Sequence, residues 1–185
     1  MIKINDKYFD IFIEKGAIES KINALASTIN KDYEGKEVLF IAILNGSFMF
    51  ASDLVKKIKL DCEISFIKVN SYEGTQSTGS INELIGLNTS VKGKHIIIIE
   101  DIVDTGRTMD KIILTLQNER PSSIECCSLL FKPNAYLGLF NPKYIGFSIE
   151  NKFVVGYGLD YDQKGRNLEE IYQITESQTT LNENN

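Results

Sequence analysis

The sequence predicts an α/β fold in which a mostly parallel twisted sheet is flanked by helices. Three observations predict it. The runs VLFIAIL at 38–44 and HIIII at 95–99 are continuous and rich in branched residues, as strands buried on both faces of a parallel sheet are. Each leads through a short glycine-containing turn, Asn45-Gly46-Ser47 or Asp104-Thr105-Gly106, into apolar residues at helical spacing. Further short apolar stretches follow between turn signals, with no internal repeat period.

Taken in order, Ile18, Ile22, Leu25, Ala26 and Ile29 form one face of an amphipathic helix after a break at Gly16. The strand at 38–44 turns into a helix whose Phe48, Ala51, Val55 and Ile58 share a face. Glu63 to Val69 reads as the next strand, completing a strand, helix, strand unit with an expected right-handed crossover. After the strand at 95–99, a helix from about Thr108 presents Met109, Ile112, Ile113 and Leu116, and Pro121 helps to end it. IECCSLLF at 124–131 supplies another strand, followed by the apolar segments YIGFSI at 144–149 and FVVGYGL at 153–159. SYEGTQSTGS at 71–80 breaks the pattern and reads as a long loop, either mobile or a solvated hairpin connection. The final ESQTTLNENN is polar and reads as a frayed tail.

The length of 185 residues suits one domain, over about 1–178 with a polar tail at 179–185. With 43% hydrophobic and 24% charged residues the chain has the composition of a folded globular protein. A net charge of -5 argues against non-specific binding to nucleic acid or an anionic membrane, so any phosphate must be held locally. No apolar run approaches the roughly 18 residues that cross a bilayer. MIKINDKYFD lacks the apolar stretch of a secretory signal, so the expected compartment is the cytoplasm. Cys62, Cys126 and Cys127 are too few and too close to frame disulfides or a CxxC metal site and read as buried small hydrophobes. His95, the single histidine, excludes multi-histidine metal centres and reads as a strand entrance rather than a catalytic base.

The densest chemistry lies between Ile96 and Met109. A buried strand ends in Glu100 and Asp101, and Asp104-Thr105-Gly106-Arg107-Thr108 then opens a helix. At the carboxyl edge of a parallel strand such a turn aims backbone N–H groups at one point, and the helix amino terminus adds partial positive charge. Thr105 and Thr108 add hydroxyl donors, and Gly106 permits close approach, so a monophosphate suits the cradle. Neither GxxxxGK[ST] nor GxGxxG occurs. Three acids beside a phosphate would repel it unless they face sugar hydroxyls or a divalent cation such as magnesium. The plainer alternative makes Asp104 a helix cap and Glu100 and Asp101 a solvated strand end. Asp-Thr-Gly also occurs in aspartic proteases, but one copy in a helix-opening context does not fit them.

The run IIIIEDIVDTGRTM at 96–109 resembles the phosphoribosyl-diphosphate signature of type I phosphoribosyltransferases. From about residue 5 to 175 the chain resembles the hypoxanthine (guanine) phosphoribosyltransferases of purine salvage. LNGSFMF at 44–50, SYEGTQSTG at 71–79, LLFKPNA at 129–135 and FVVGYGLDYDQKGRNL at 153–168 follow in that family's order and spacing. The resemblance implies the type I phosphoribosyltransferase fold, with a core over about 35–150 and a small hood from about 1–15 and 151–175.

It also implies roles. Glu100 and Asp101 would meet the ribose hydroxyls and magnesium, Asp104 would face purine N7 as general base and acid, and Thr105, Gly106, Arg107 and Thr108 would hold the 5′-phosphate. Lys132 would donate to the purine 6-oxo group, Phe153 would stack on the base, and the backbone around Val154 and Asp160 would read its edge. Asp160 would help to hold a second magnesium, Arg166 would bind pyrophosphate, and Ser71 and Tyr72 would lie on a lid loop. Asn45 stands where many relatives carry Lys; pyrophosphate contact at Asn45 and Gly46 is implied to run through backbone, often beside a non-proline cis peptide. Arg107 replaces a common Lys and keeps its charge. Taken singly, Lys132 reads as a surface charge, Phe153 as core, and Asp160 with Arg166 as a surface ion pair.

The implied reaction moves 5-phosphoribosyl from phosphoribosyl diphosphate to N9 of hypoxanthine or guanine, giving IMP or GMP and pyrophosphate. The resemblance also suggests a homodimer or homotetramer. Two other classes compete: a regulatory protein that senses nucleotides with the same fold and site, for which a basic surface would speak, and an interaction domain with a dead site.

Overall fold

The computed structural model describes residues 1–69, 84–87 and 89–175. A hairpin, β1 (Ile2–Ile4) and β2 (Lys7–Ile13), precedes α1 (Lys15–Asp32), β3 (Val38–Leu44), α2 (Phe48–Val55), β4 (Cys62–Val69) and β5 (Leu84–Ile85). Then come β6 (His95–Val103), α3 (Arg107–Gln117), β7 (Ser123–Phe131), β8 (Tyr144–Ser148), β9 (Val154–Val155) and β10 (Ile171–Ile174). The larger sheet runs β5-β4-β3-β6-β7-β8, with only β5 antiparallel to its neighbour.

Alternation along the central strands explains their unbroken apolar runs. Val38, Phe40 and Ala42 join the cluster that holds Ile18, Ile22 and Ile29 of α1 and Phe50 of α2. Leu39, Ile41 and Ile43 pack instead with Met109, Ile112 and Leu116 of α3. Both faces of β3 are therefore covered, and a polar side chain there would lose its water. Cys126 and Cys127 take part in the same burial on opposite faces, whereas Cys62 is only partly covered, and all three are free thiols. His95 opens β6, with Nδ1 at 2.8 Å from Ser123 Oγ, at the end of the strand remote from Asp101.

Strand order reverses between β3 and β6. The chain leaves β3 toward β4 on one side, while β6, β7 and β8 lie on the other. At such a reversal the two adjacent carboxyl ends feed turns that diverge to opposite faces of the sheet, leaving a crevice.

Three details depart from the expectations. Gly16 sits inside the first turn of α1, which starts at Lys15, and α2 ends at Val55, leaving Ile58 in the turn beyond it. FVVGYGL yields only the two-residue β9, because Gly156, Tyr157 and Gly158 take φ of 103°, 50° and 99°, which ends a strand ladder. The apolar residues of β9 instead join a second, antiparallel sheet in the order β1-β2-β10-β9, built from both ends of the described chain. Its core is Ile4, Phe9, Val155 and Tyr172. The Asn5-Asp6 turn between β1 and β2, with Asn5 at φ 52°, is the sequence cue for that hairpin. Among the described residues no helix is long and apolar enough to cross a membrane.

Asp32 ties the end of α1 to β8: it accepts from Tyr144 Oη at 2.7 Å and pairs with Lys143 Nζ at 3.2 Å. The Tyr144 hydroxyl and the Lys143 ammonium hold its carboxyl below the ordinary carboxylate value. That stabilisation is complete above the unfolded-state value and is lost as pH falls through the lower folded one. The stability gap between the wild type and Asp32→Asn, read by urea unfolding, should therefore narrow from pH 6 to pH 3; a constant gap would contradict the assignment.

Candidate active site

The turn after β3 touches Asp101 of the neighbouring strand β6. After β3 the Leu44–Asn45 peptide bond is cis, and the N–H and Oγ of Ser47 both donate to Ile43 O, at 3.3 and 2.6 Å. A Cβ on Gly46 would lie 1.7 Å from Asp101 Oδ2, so any side chain at 46 would have to displace the acid on β6. Asp101 is 8% exposed, and burial pushes its carboxyl up. Burial and then the charge of Asp101 push the Glu100 carboxyl well above its usual range. Two desolvated acids side by side are relieved by a cation or by hydroxyl donors, and the plainer reading of a solvated strand end is overturned.

The second turn leads into α3 through Gly106 at φ 81°. No side chain caps α3, so Asp104 is not the cap that the plainer reading makes it, and the first amides of the helix keep their donors for a ligand. Asp104 instead meets Lys132, with Nζ to Oδ2 at 2.9 Å. The backbone arranges this: Lys132 N–H donates to Val103 O at 3.0 Å, bringing the exit of β7 beside that of β6. Lys132 is only 7% exposed, which corrects the reading of a surface charge, and its ammonium also lies 3.5 Å from Asn151 Oδ1.

The segment after Lys132 backs the phosphate-cradle turn. Leu137 N–H donates to Thr105 O at 3.1 Å, and Asp110 in the first turn of α3 accepts from the N–H groups of Leu139 and Phe140, at 2.9 and 3.3 Å. A Cβ on Gly106 would lie 2.3 Å from the Tyr136 ring. Asn151, Tyr136 and Asp110 were not singled out by the sequence; an acid in a helix's first turn was the only cue, and nothing local names its partner.

A third segment closes the crevice. Arg166 Nη2 pairs with Asp160 Oδ1 at 2.6 Å, while Nη1 donates to Gly158 O at 2.8 Å. A Cβ on Gly158 would lie 2.0 Å from Gly46 O, so this segment rests on the 45–47 turn. Both side chains of the Asp160 and Arg166 pair are three-quarters covered, more than a solvated surface pair. Phe153 is 44% exposed rather than core, with Tyr161 edge-on at 5.7 Å and Phe9 at 6.3 Å. Val154 is buried in β9. The structure thus joins Gly46, Asp101, Asp160 and Arg166 along one wall and Asp104, Lys132 and Asn151 at another point, while Ser71 and Tyr72 lie outside the described residues.

Among the described residues no group of three or more His, Cys, Asp or Glu has metal-holding geometry, so Glu100, Asp101 and Asp160 do not form one cage. The adjacent acids still suit magnesium, which binds through one or two carboxylates and completes its shell with water and substrate oxygens.

A family model described as the phosphoribosyl transferase domain matches residues 12–162. This chain belongs to the phosphoribosyltransferase family. The hypoxanthine-guanine phosphoribosyltransferase of Staphylococcus aureus is 41% identical to it over 160 residues, 86% of this chain and 89% of that protein. The hypoxanthine phosphoribosyltransferase of Haemophilus influenzae is 36% identical over 171 residues, 90% of this chain and 96% of that one. A crystal structure of a hypoxanthine-guanine phosphoribosyltransferase from Bacillus anthracis, with HEPES in its active site, matches at a TM-score of 0.84 and 36% identity, covering 92% of this chain and 99% of that one. The matched phosphoribosyltransferase region spans the whole larger sheet and ends between Asp160 and Arg166.

The contact between Gly46 and Asp101 makes a paired prediction. Gly46→Ala should destabilise the fold by about 1–3 kcal/mol through the clash. Gly16→Ala, which meets nothing within 4 Å inside α1, should be neutral or stabilise by up to about 1 kcal/mol. Chemical denaturation of the two variants reads the difference, and equal effects would refute the contact.

Proposed function

We propose that this chain transfers a 5-phosphoribosyl group from phosphoribosyl diphosphate to N9 of hypoxanthine or guanine, giving IMP or GMP and pyrophosphate. One observation carries the reading: a nearly buried ammonium, Lys132, stands 2.9 Å from the carboxylate of Asp104 and beside Asn151, which precedes the half-open Phe153 by two residues. A 6-oxopurine presents its O6 acceptor next to N7. Lysine has donors and no acceptor, so it takes O6 and refuses the amino group of adenine, while Asp104 is left to manage the N7 proton. The relatives named for hypoxanthine and guanine support the same substrate class.

In this reading the amides and hydroxyls at Thr105, Gly106, Arg107 and Thr108 hold the 5′-phosphate at the amino terminus of α3. Glu100 and Asp101 accept from the ribose hydroxyls. The backbone of Asn45 and Gly46, with the Arg166 guanidinium, binds the pyrophosphate end. Phe153 stacks on the base and Val154 and Asp160 read its edge. When bound, magnesium supplies positive charge that offsets the leaving pyrophosphate, and Glu100, Asp101 and Asp160 are the residues that would hold it. The bond from the anomeric carbon to the pyrophosphate oxygen breaks through an oxocarbenium-like state as N9 forms the new bond. Asp104 receives the proton that leaves N7, so the base departs neutral as part of the nucleotide.

Assays with phosphoribosyl diphosphate and magnesium should show turnover with hypoxanthine or guanine and none with adenine or uracil; inactivity with every oxopurine would refute the proposal. Asp104→Asn should lower kcat by about a hundredfold while nucleotide binding persists, and unchanged turnover would remove the acid/base role. Lys132→Ala should raise the KM for the oxopurine selectively, and an unaltered base preference would refute the purine assignment.

A further inference from the structure

Asp53 and Tyr157 lie outside the residues assigned above, yet a hydrogen bond joins them across 104 residues of sequence: Tyr157 Oη donates to Asp53 Oδ2 at 2.5 Å. Asp53 belongs to α2, the helix that leaves the 45–47 turn. Its other oxygen pairs with Lys56 Nζ at 2.6 Å. Burial pushes the Asp53 carboxyl up, but the donors from Lys56 and Tyr157 outweigh it and hold the group below its ordinary value, so the acceptor stays charged.

Tyr157 is 5% exposed and is the middle of three consecutive left-handed residues, between Gly156 and Gly158. A side chain is uncommon in that backbone region, and here it ties an otherwise glycine turn to a helix. Backbone bonds lock the turn to the arginine segment: Tyr157 N–H donates to Leu168 O and Gly158 N–H to Arg166 O, both at 2.9 Å. Gly158 in turn lies against Gly46 O and accepts from the Arg166 guanidinium. Contact therefore runs unbroken from α2 through Asp53 and Tyr157 to the wall that holds Gly46 and Arg166. A cleft beside the pair is lined by Ile18, Met49 and Glu169.

We propose that the Asp53–Tyr157 hydrogen bond is a positioning latch: it sets the separation between the 45–47 backbone and the Asp160–Arg166 pair, and thereby the grip on the pyrophosphate end of the donor. The inference rests on the function proposed above, and neither residue touches substrate.

Tyr157→Phe keeps the packed ring and removes the donor. The KM for phosphoribosyl diphosphate and the Kd of magnesium pyrophosphate, by titration calorimetry, should each rise about tenfold, with kcat and the KM for hypoxanthine within about twofold. Asp53→Asn retains an acceptor oxygen and should restore most of that affinity, whereas Asp53→Ala should match Tyr157→Phe. The two Asp53 variants make the same comparison if Tyr157→Phe is unstable. Unchanged donor and pyrophosphate affinities in Tyr157→Phe and Asp53→Ala, or parallel losses for donor and base, would overturn the latch. A wild type that turns over no purine but binds pyrophosphate in a Tyr157-dependent way would overturn the purine reading and leave the latch intact.

Discussion

A carboxylate taken out of water has to be compensated, and at Asp101 burial outweighs what the protein supplies: a hydrogen bond with Glu100, the backbone of residues 101 and 102, and the charge of Arg166. The acid lies near the carboxyl end of β6, the 45–47 turn of the neighbouring strand lies directly against its oxygens, and Gly158 lies against the carbonyl of Gly46 in that turn. The lack of a Cβ at Gly46 lets its turn approach that carboxylate, and the lack of one at Gly158 lets the next segment approach the turn. The remaining need of the two acids for cations and hydroxyl donors is the chemical demand that a ribosyl donor with its metal meets.

The sheet makes this approach possible. Because strand order reverses between β3 and β6, their two turns open to opposite faces while their carboxyl ends stay adjacent. One turn enters α2 and the other α3, so each helix anchors one half of the crevice in a different core layer. The smaller sheet then brings Phe153, Val154, Asp160 and Arg166 over the opening, since β9 is paired to β10 and the 156–168 turns hang from that pair.

Much of this was legible in the amino-acid order. VLFIAIL and HIIII read as doubly covered strands, and the acid-rich signature between Glu100 and Thr108 marked the crevice. Lys132 and Phe153 were legible only through family resemblance, because a lone lysine before proline and a lone phenylalanine carry no pattern of their own. FVVGYGL misled in the opposite way: periodicity registers apolar side chains but not the three left-handed residues that cut the strand short. The contacts Gly106 to Tyr136, Asp110 to Leu139 and Asp53 to Tyr157 join residues 29 to 104 positions apart, or rest on ring placement, and no local signal pairs them.

The central claim is that the Thr105 to Thr108 turn holds the terminal phosphate of a ribosyl group while the acids of β6 serve its sugar. A crystal structure with bound IMP tests it most directly. The account predicts the 5′-phosphate within hydrogen-bond distance of the amides of residues 105–108, the ribose hydroxyls at Glu100 and Asp101, and O6 at the Lys132 ammonium. A nucleotide seated elsewhere in the molecule, with that turn empty, would contradict it.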